Sequence, residues 1–434
     1  MFALPHREVG LLGIGAGPSN LALAVALEEL APADFAEDSL IIEQHENIVW
    51  QRGMLLPWAR TQVSFLKDLV TLRNPRSKFT FTNYLHSTGR LDQFVNLGSF
   101  TPYRAEISDY LQWVAKSLER VRIEYGLRCV GIEPVRSAAG DITRWLVRLA
   151  NESTIACRDL VVAVGREPRI PDVFATLPAE RLVHSTAFGT RLAELDPEAA
   201  HSIVVVGGAQ SAAEMLWTAH QSLPKAQCTM VMRSIGPQTY ELSKFVNELY
   251  YPSFVDDFFA APAEVRRQLF AELRGTNYSA LDPELLETLY RQIYLERFTR
   301  SERLHVVTTT DVVDAQLAET DVVLTLVDRK TGLSDELRCD IVLLGTGFRP
   351  DMPPVVRQLA ATIELDDIAV NRCYRMAMPV SAGASCYLQG VNEATHGIAD
   401  SLLSVLAIRA EEIVRDLLGR RAAPEQFADS GSFR

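Results

Sequence analysis

Two short segments of this chain carry residue types that could hold a nucleotide. The first is Gly13-Ile14-Gly15-Ala16-Gly17-Pro18-Ser19-Asn20. Glycine at 13 permits a tight turn, and glycine at 15 lets a pyrophosphate approach the backbone. The helix that opens beyond them offers unpaired N–H groups and a partial positive charge to that anion. Glu43, closing the next apolar run, is placed to accept a hydrogen bond from a ribose hydroxyl. The second segment is Val206-Gly207-Gly208-Ala209-Gln210-Ser211-Ala212-Ala213-Glu214. Here Gly207 and Ala209 stand at the first two glycine positions, while Gln210 and Ser211 can cap the helix and hydrogen-bond a pyrophosphate. The apolar run Cys228–Met232 ends at Arg233, where an acid would select NAD; a basic residue there suits the 2′-phosphate of NADP.

Either segment alone could be a glycine-rich turn without a ligand. Two of them in one chain, one early and one central, match the build of flavoprotein reductases and monooxygenases, so FAD is expected at the first and NADPH at the second. Histidines and acids show no metal-ligand spacing, and no Gly-x-Ser-x-Gly elbow occurs, so neither a metal centre nor a serine hydrolase is expected.

The elements that must position these loops follow from hydrophobic pattern. Val9–Gly13 reads as a strand, Asn20–Leu30 as a helix and Ser39–Glu43 as the next strand. The pattern returns at Ile203–Val206 and Ala212–Ala219. Such alternation predicts an α/β fold with two Rossmann-like dinucleotide-binding domains and a small helical elaboration. Residues 1–190 with 335–420 are expected to form the FAD unit, and 195–240 with 300–334 the NADPH unit. Residues 241–299 would be a helical substrate-binding segment and 421–434 a flexible tail.

Composition narrows the partners. The chain has 434 residues, 47% of them hydrophobic, enough for two or three domains. Its formal charge of −12 disfavours nucleic acid. Apolar runs such as Ile203–Val206 fall far short of the roughly 20 residues of a spanning helix, so no membrane partner is expected. The N-terminus lacks a signal-peptide pattern, and six cysteines without a C-x-x-C pair read as reduced thiols in a cytoplasmic enzyme.

Further motifs extend along the chain: Trp50 with Gly53-Met54-Leu55-Leu56-Pro57, Gln62 to Leu69, Leu72-Arg73-Asn74-Pro75 and Pro102-Tyr103-Arg104. Later come Gly275-Thr276-Asn277-Tyr278-Ser279, Leu344-Gly345-Thr346-Gly347-Phe348, Thr395-His396-Gly397 and Asp400-Ser401-Leu402-Leu403-Ser404. In this order they resemble the N-hydroxylating flavin monooxygenases of siderophore biosynthesis, above all the L-ornithine N5-monooxygenases. The resemblance implies an FAD- and NADPH-dependent enzyme that uses O2 to convert L-ornithine to N5-hydroxyornithine through a C4a-hydroperoxyflavin. It implies Gln62 beside the isoalloxazine ring, and Lys67 and Asn247 on the α-carboxylate of the substrate. Asn277 would bind substrate and the nicotinamide ribose region, and Arg104 would approach NADP near the flavin. Ser404 would stand where flavin edge and amine meet, with Trp50, Gly347 and Leu402 among the cofactor contacts. A homo-oligomer, tetramer or dimer, is implied as well.

Taken bare, Lys67 could be a snorkelling surface lysine, and Asn247 and Asn277 turn or cap residues. His396 reads as a packed histidine rather than a base. A lysine N6- or diamine N-hydroxylase shares this chemistry; a diamine would leave Lys67 without a carboxylate, and Arg73-Asn74-Pro75 favours ornithine over lysine. A disulfide reductase would need a C-x-x-C pair.

Overall fold

A computed structural model describes residues 7–240, 243–277, 280–378 and 383–422, with backbone alone at 274, 276, 277 and 422. The strands in chain order are β1 (Arg7–Ile14), β2 (Ser39–Ile42), β3 (Arg122–Glu124), β4 (Cys129–Arg136) and β5 (Ile142–Leu149). They continue with β6 (Thr154–Val162), β7 (Leu182–His184), β8 (Ser202–Val206), β9 (Gln227–Val231) and β10 (Leu304–Val307). The last are β11 (Thr310–Ala318), β12 (Asp321–Asp328), β13 (Ser334–Cys339), β14 (Ile341–Leu344) and β15 (Ser385–Leu388).

The first sheet runs β3-β2-β1-β6-β5-β4, with β15 also on β6. On the edge away from β1, strand β6 serves two neighbours: Thr154–Cys157 pairs antiparallel with β5, and Asp159–Val162 pairs parallel with β15. Because strand side chains alternate in direction, Leu11, Ile41 and Val161 face the core that holds the helices Pro18–Leu30 and Leu406–Ala422. Leu12, Ile42, Leu160 and Val162 face the opposite core, with Trp145 and Val356. Both faces are therefore covered, which is why these strands read as unbroken apolar runs.

The second sheet is parallel throughout, in the order β10-β9-β8-β14-β7. The helix Gln210–Ser222 covers one face, and the antiparallel sheet β11-β12-β13 packs on the other through Ala315, Val322 and Leu324. The α/β architecture with two dinucleotide-binding sheets is as expected.

Three boundaries differ from the expectation. Strands β7 and β14 were assigned to the first unit, yet Ile341–Leu344 pairs with Ile203–Val206 at the centre of the second sheet. An apolar run of four fits either sheet, and only the chain's return crossing decides. The helical segment 241–299 also divides. Leu281, Leu285 and Leu289 join the second unit's core, whereas Val246, Tyr250, Val255 and Leu273 pack on Ile398, Ala399 and Val405 of the first. At the C-terminus the helix runs to Ala422, and Arg421, expected to begin the tail, pairs with Asp159 at 3.0 Å.

The two connectors between units lie side by side. Arg169 N–H donates to Gly347 O (2.9 Å) and Arg349 N–H to Glu167 O (2.8 Å). His184 Nε2 also meets Gly347 O at 2.9 Å. Gly53 provides a further joint: a Cβ there would lie 2.3 Å from Ser185 O and Thr186 O, so only glycine permits this approach.

Candidate functional site

The first glycine loop follows β1. Gly15 has φ +86°, and a Cβ on it would sit 2.7 Å from Ala163 O, so both conformation and space require glycine. The fully buried Asn20 fixes the loop by donating from Nδ2 to Gly15 O (2.8 Å) and Ile14 O (3.2 Å). Gln389 Nε2 donates to Asn20 Oδ1 at 2.9 Å, tying the loop to the end of β15. A Cβ on Gly13 would meet Asn20 Nδ2 at 3.1 Å, whereas one on Gly17 would meet no protein atom within 4 Å. Protein packing thus accounts for Gly13 and Gly15 but not for Gly17, whose free side is where a pyrophosphate would lie. The helix beginning at Pro18 has no side-chain cap, leaving its first-turn N–H groups for an anion. Glu43 reaches this loop, accepting Ala16 N–H at 2.9 Å and His45 N–H at 3.0 Å.

The second glycine loop follows β8. Gly207 has φ +145°, and its Cβ would lie 2.5 Å from Gly345 O; a Cβ on Gly345 would lie 2.6 Å from that of Ala212. Helix Gln210–Ser222 also starts without a side-chain cap, at Ala209. A Cβ on Gly208 would meet Met232 and Ser234, so the end of β9 lies against this loop. Arg233 is exposed there, with no side-chain partner among the described residues.

Between the loops, the segment from Ala59 to Phe65 runs along Phe100 to Arg104, with Thr61 N–H to Pro102 O and Phe65 N–H to Phe100 O both 2.9 Å. It carries the exposed Gln62 and leads into a turn with the half-buried Lys67. Asp68 turns inward and accepts from the Val70, Thr71 and Phe81 N–H groups and the Thr71 hydroxyl. Its carboxylate is therefore not the partner of Lys67. The Lys67 ammonium sits 4.5 Å over the Tyr251 ring, has no carboxylate in reach among the described residues, and is drawn below the ordinary lysine value by burial.

Tyr251 follows the short helix Lys244–Glu248 that bears the exposed Asn247, so the fold brings Lys67 and Asn247 to one region. Leu402 and Val405 pack against that helical segment. Leu403 lines a small cavity with Ser64, Phe65, Lys67, Ile107 and Tyr110. Ser404 is buried and its Oγ has no hydrogen-bond partner, as is true of Gln389 Oε1 and Asn392 Oδ1 nearby in the chain. These orphaned polar atoms, with the Gly17 cradle, fit a large polar cofactor. Trp50 is half-buried, its backbone N–H donating to Ser108 Oγ at 3.2 Å. Asn277 ends the helix Ala263–Asn277, and its side chain lies outside the described residues, as do Tyr278 and Ser279.

The sequence model of the L-lysine 6-monooxygenase/L-ornithine 5-monooxygenase family matches residues 7–350. The chain belongs to this family. It is 39% identical to an L-ornithine N(5)-monooxygenase of Burkholderia cepacia, over 89% of each chain. The ornithine hydroxylase of Pseudomonas aeruginosa superposes with a TM-score of 0.89 at 35% identity, over 95% of this chain and 100% of that one. The ornithine N-hydroxylase of Kutzneria sp. 744, solved with reduced FAD, NADP+ and L-ornithine, gives 0.89 at 35% identity, over 96% and 100%.

Within this family frame two expected contacts change. Arg104 is not open to a nucleotide. Its guanidinium is buried in a two-pronged pair with Glu214, Nη1 to Oε2 at 2.9 Å and Nη2 to Oε1 at 2.7 Å, and Nη1 also donates to Met54 O at 2.8 Å. Gln210 does not cap its helix. Its Nε2 donates to Glu214 Oε1 (2.8 Å), and its Oε1 accepts Asp282 N–H (2.7 Å). Ser211 is half-buried in the first helical turn. Gly347 has φ +74°, and its carbonyl is taken by Arg169 and His184. His396 stacks on Tyr374 at 4.1 Å, and burial holds it near a pKa of about 4, so it is a neutral packed histidine.

Sequence reading left Glu214, Tyr251 and Gln389 without a role. Glu214 did give a signal. It is an acid within the run Ala212-Ala213-Glu214-Met215-Leu216, whose other members are all buried apolar residues, and such a buried carboxylate requires a partner. Nothing local marks Tyr251.

Proposed function

We propose that this protein is an FAD- and NADPH-dependent monooxygenase that hydroxylates the side-chain amine of L-ornithine to N5-hydroxyornithine, a hydroxamate precursor for siderophores. The flavin, once reduced by NADPH, supplies activated oxygen from O2. The chain's own residues bind, orient and exclude water.

The glycine loop of residues 13–18 holds the FAD pyrophosphate and Glu43 its ribose. The loop of residues 207–211 receives NADPH, with Arg233 toward the 2′-phosphate. Lys67 and Asn247 take the α-carboxylate of the amino acid, Gln62 and Ser404 lie toward the flavin, and Asn277 serves substrate and cofactor together. The carrying observation is Lys67, half-buried with no carboxylate in reach among the described residues. A diamine would give it no anion. The apolar wall of Phe65, Ile107 and Leu403 keeps water from the site.

No helix among the described residues is long and apolar enough to cross a membrane. The six cysteines are free thiols, which supports a cytoplasmic setting, and the enzyme works as a homo-oligomer. The test is hydroxylated product, measured together with NADPH consumption, for ornithine, lysine, putrescine and cadaverine. Ornithine turnover coupled to NADPH is expected, with uncoupled oxidation for the diamines. Equal coupled turnover of cadaverine would overturn the assignment.

A further inference from the structure

The helix Pro283–Thr299 presents an inner face of Leu285 and Leu289 to the second unit's core. Its outer face carries Tyr290, Tyr294 and Phe298 at 73%, 67% and 77% exposure, flanked by Leu295 at 52%. The spacing of four places the three rings in one stripe. A monomer seldom leaves so many large apolar side chains together in water.

Charge is distributed unevenly along the same surface. Glu284 and Glu287 are exposed toward the N-terminal end, and Arg297 and Arg300 toward the C-terminal end. A strip that is acidic at one end and basic at the other is complementary to its own copy turned end for end. Local pairs already exist, Glu287 with Arg291 at 2.8 Å and Arg297 with Glu302 at 4.0 Å, but both are exposed. Exposed pairs are weak, and they leave these charges free to face a partner.

We infer that this stripe is the surface on which a second copy of the chain docks, the two helices antiparallel about a two-fold axis. Tyr290 of one copy then lies against Tyr294 of the other, and Glu287 against Arg297. The aromatic side chains and Leu295 would bury on the order of 500 Å² per copy, hence roughly 1,000 Å² in total, which reaches the lower bound for a specific interface. The inference rests on the proposal that the enzyme is a homo-oligomer and names the face used.

Sedimentation velocity of the FAD-loaded full-length protein at micromolar concentration tests it. The parent is expected to be a dimer or a larger even assembly, and Tyr294→Glu with Phe298→Glu to halve its mass, raising the dissociation constant at least about 100-fold. Both positions are exposed, so the double variant should keep its flavin spectrum and its coupled NADPH oxidation. Glu287→Arg alone should weaken association, and adding Arg297→Glu should restore it. A monomeric parent would overturn both the oligomer and this face. An oligomeric parent whose aromatic variant keeps its mass would overturn the face alone. Failure of the charge exchange to restore assembly would overturn the antiparallel register.

Discussion

The buried pair Arg104–Glu214 lends itself to a quantitative test. The two side chains come from different units, and both are nearly inaccessible to water. Glu214→Gln keeps the shape and removes the charge. The Arg104 guanidinium would stay buried and charged, facing only neutral acceptors, Met54 O and the one amide oxygen of the glutamine. Breaking one side of a buried pair costs about 3–5 kcal/mol, because an uncompensated charge is left in a low dielectric. Against a typical total of about 5–15 kcal/mol that is a large fraction, and at roughly 2–4 °C per kcal/mol for a domain of this size it lowers the midpoint by on the order of 10 °C.

Thermal unfolding followed by flavin fluorescence would read the stability, and anaerobic stopped-flow reduction by NADPH would read the site. Glu214 also receives Gln210, whose side-chain oxygen holds Asp282 N–H at the start of the helix Pro283–Thr299. The KM for NADPH should therefore rise with the loss of stability. Arg104→Met together with Glu214→Met removes both charges and should recover most of the stability, since two apolar groups of similar size replace a pair. A Glu214→Gln variant within about 0.5 kcal/mol of the parent, below the range for buried pairs, would refute this reasoning. So would a double variant whose loss equals the sum of the singles.

Two further outcomes are expected. Burial lowers the pKa of Lys67, so its charge is present below that value and is lost as pH rises through it, earlier than for an exposed lysine. The KM for ornithine should climb at alkaline pH, Lys67→Arg should abolish that rise, and Tyr251→Ala should move it higher while Tyr251→Phe leaves it in place; identical pH profiles for all would exclude the contact. Arg233→Ser should cut the NADPH-to-NADH preference in kcat/KM by about 10–100-fold, as loss of one charge-assisted hydrogen-bonding group predicts, and an unchanged ratio would show that Arg233 does not meet the 2′-phosphate.

The glycine loops were legible because backbone conformation dictates residue type over a short span. Gly15 must be glycine for its φ of +86°, a cause that acts within one strand–loop–helix unit, and the nearness of Ala163 O, contributed by the end of the neighbouring β6, only adds to it. The allocation of Ile341–Leu344 was not legible. Its four apolar residues would fill a place in either sheet, and its neighbours Leu182–His184 and Ser202–Val206 lie well over a hundred residues earlier. Arg104 and Glu214 are 110 residues apart, and no periodicity relates them. Gln210 was misread for another reason: an amide both donates and accepts, so its type fits a phosphate, a carboxylate or a backbone N–H equally well.

The substrate end of the site shows the same limit from the other side. Val246, Leu249, Tyr250, Phe254 and Val255 are spread over two short helices, Lys244–Glu248 and Pro252–Ala260, and the turn between them, yet they form one apolar face. The surface that buries this face is Ile398, Ala399, Leu402 and Val405, a segment that precedes the closing helix and whose own pattern is too short to announce a partner. Once those two faces meet, the rest is fixed by geometry. Tyr251 comes over Lys67, Leu403 closes the cavity beside it, and Ser404 is left buried with an unpaired hydroxyl. The residues of this site are therefore held in register by apolar contacts that none of them makes, and a change such as Val405→Asp should disturb ornithine binding without touching a single polar group that faces it.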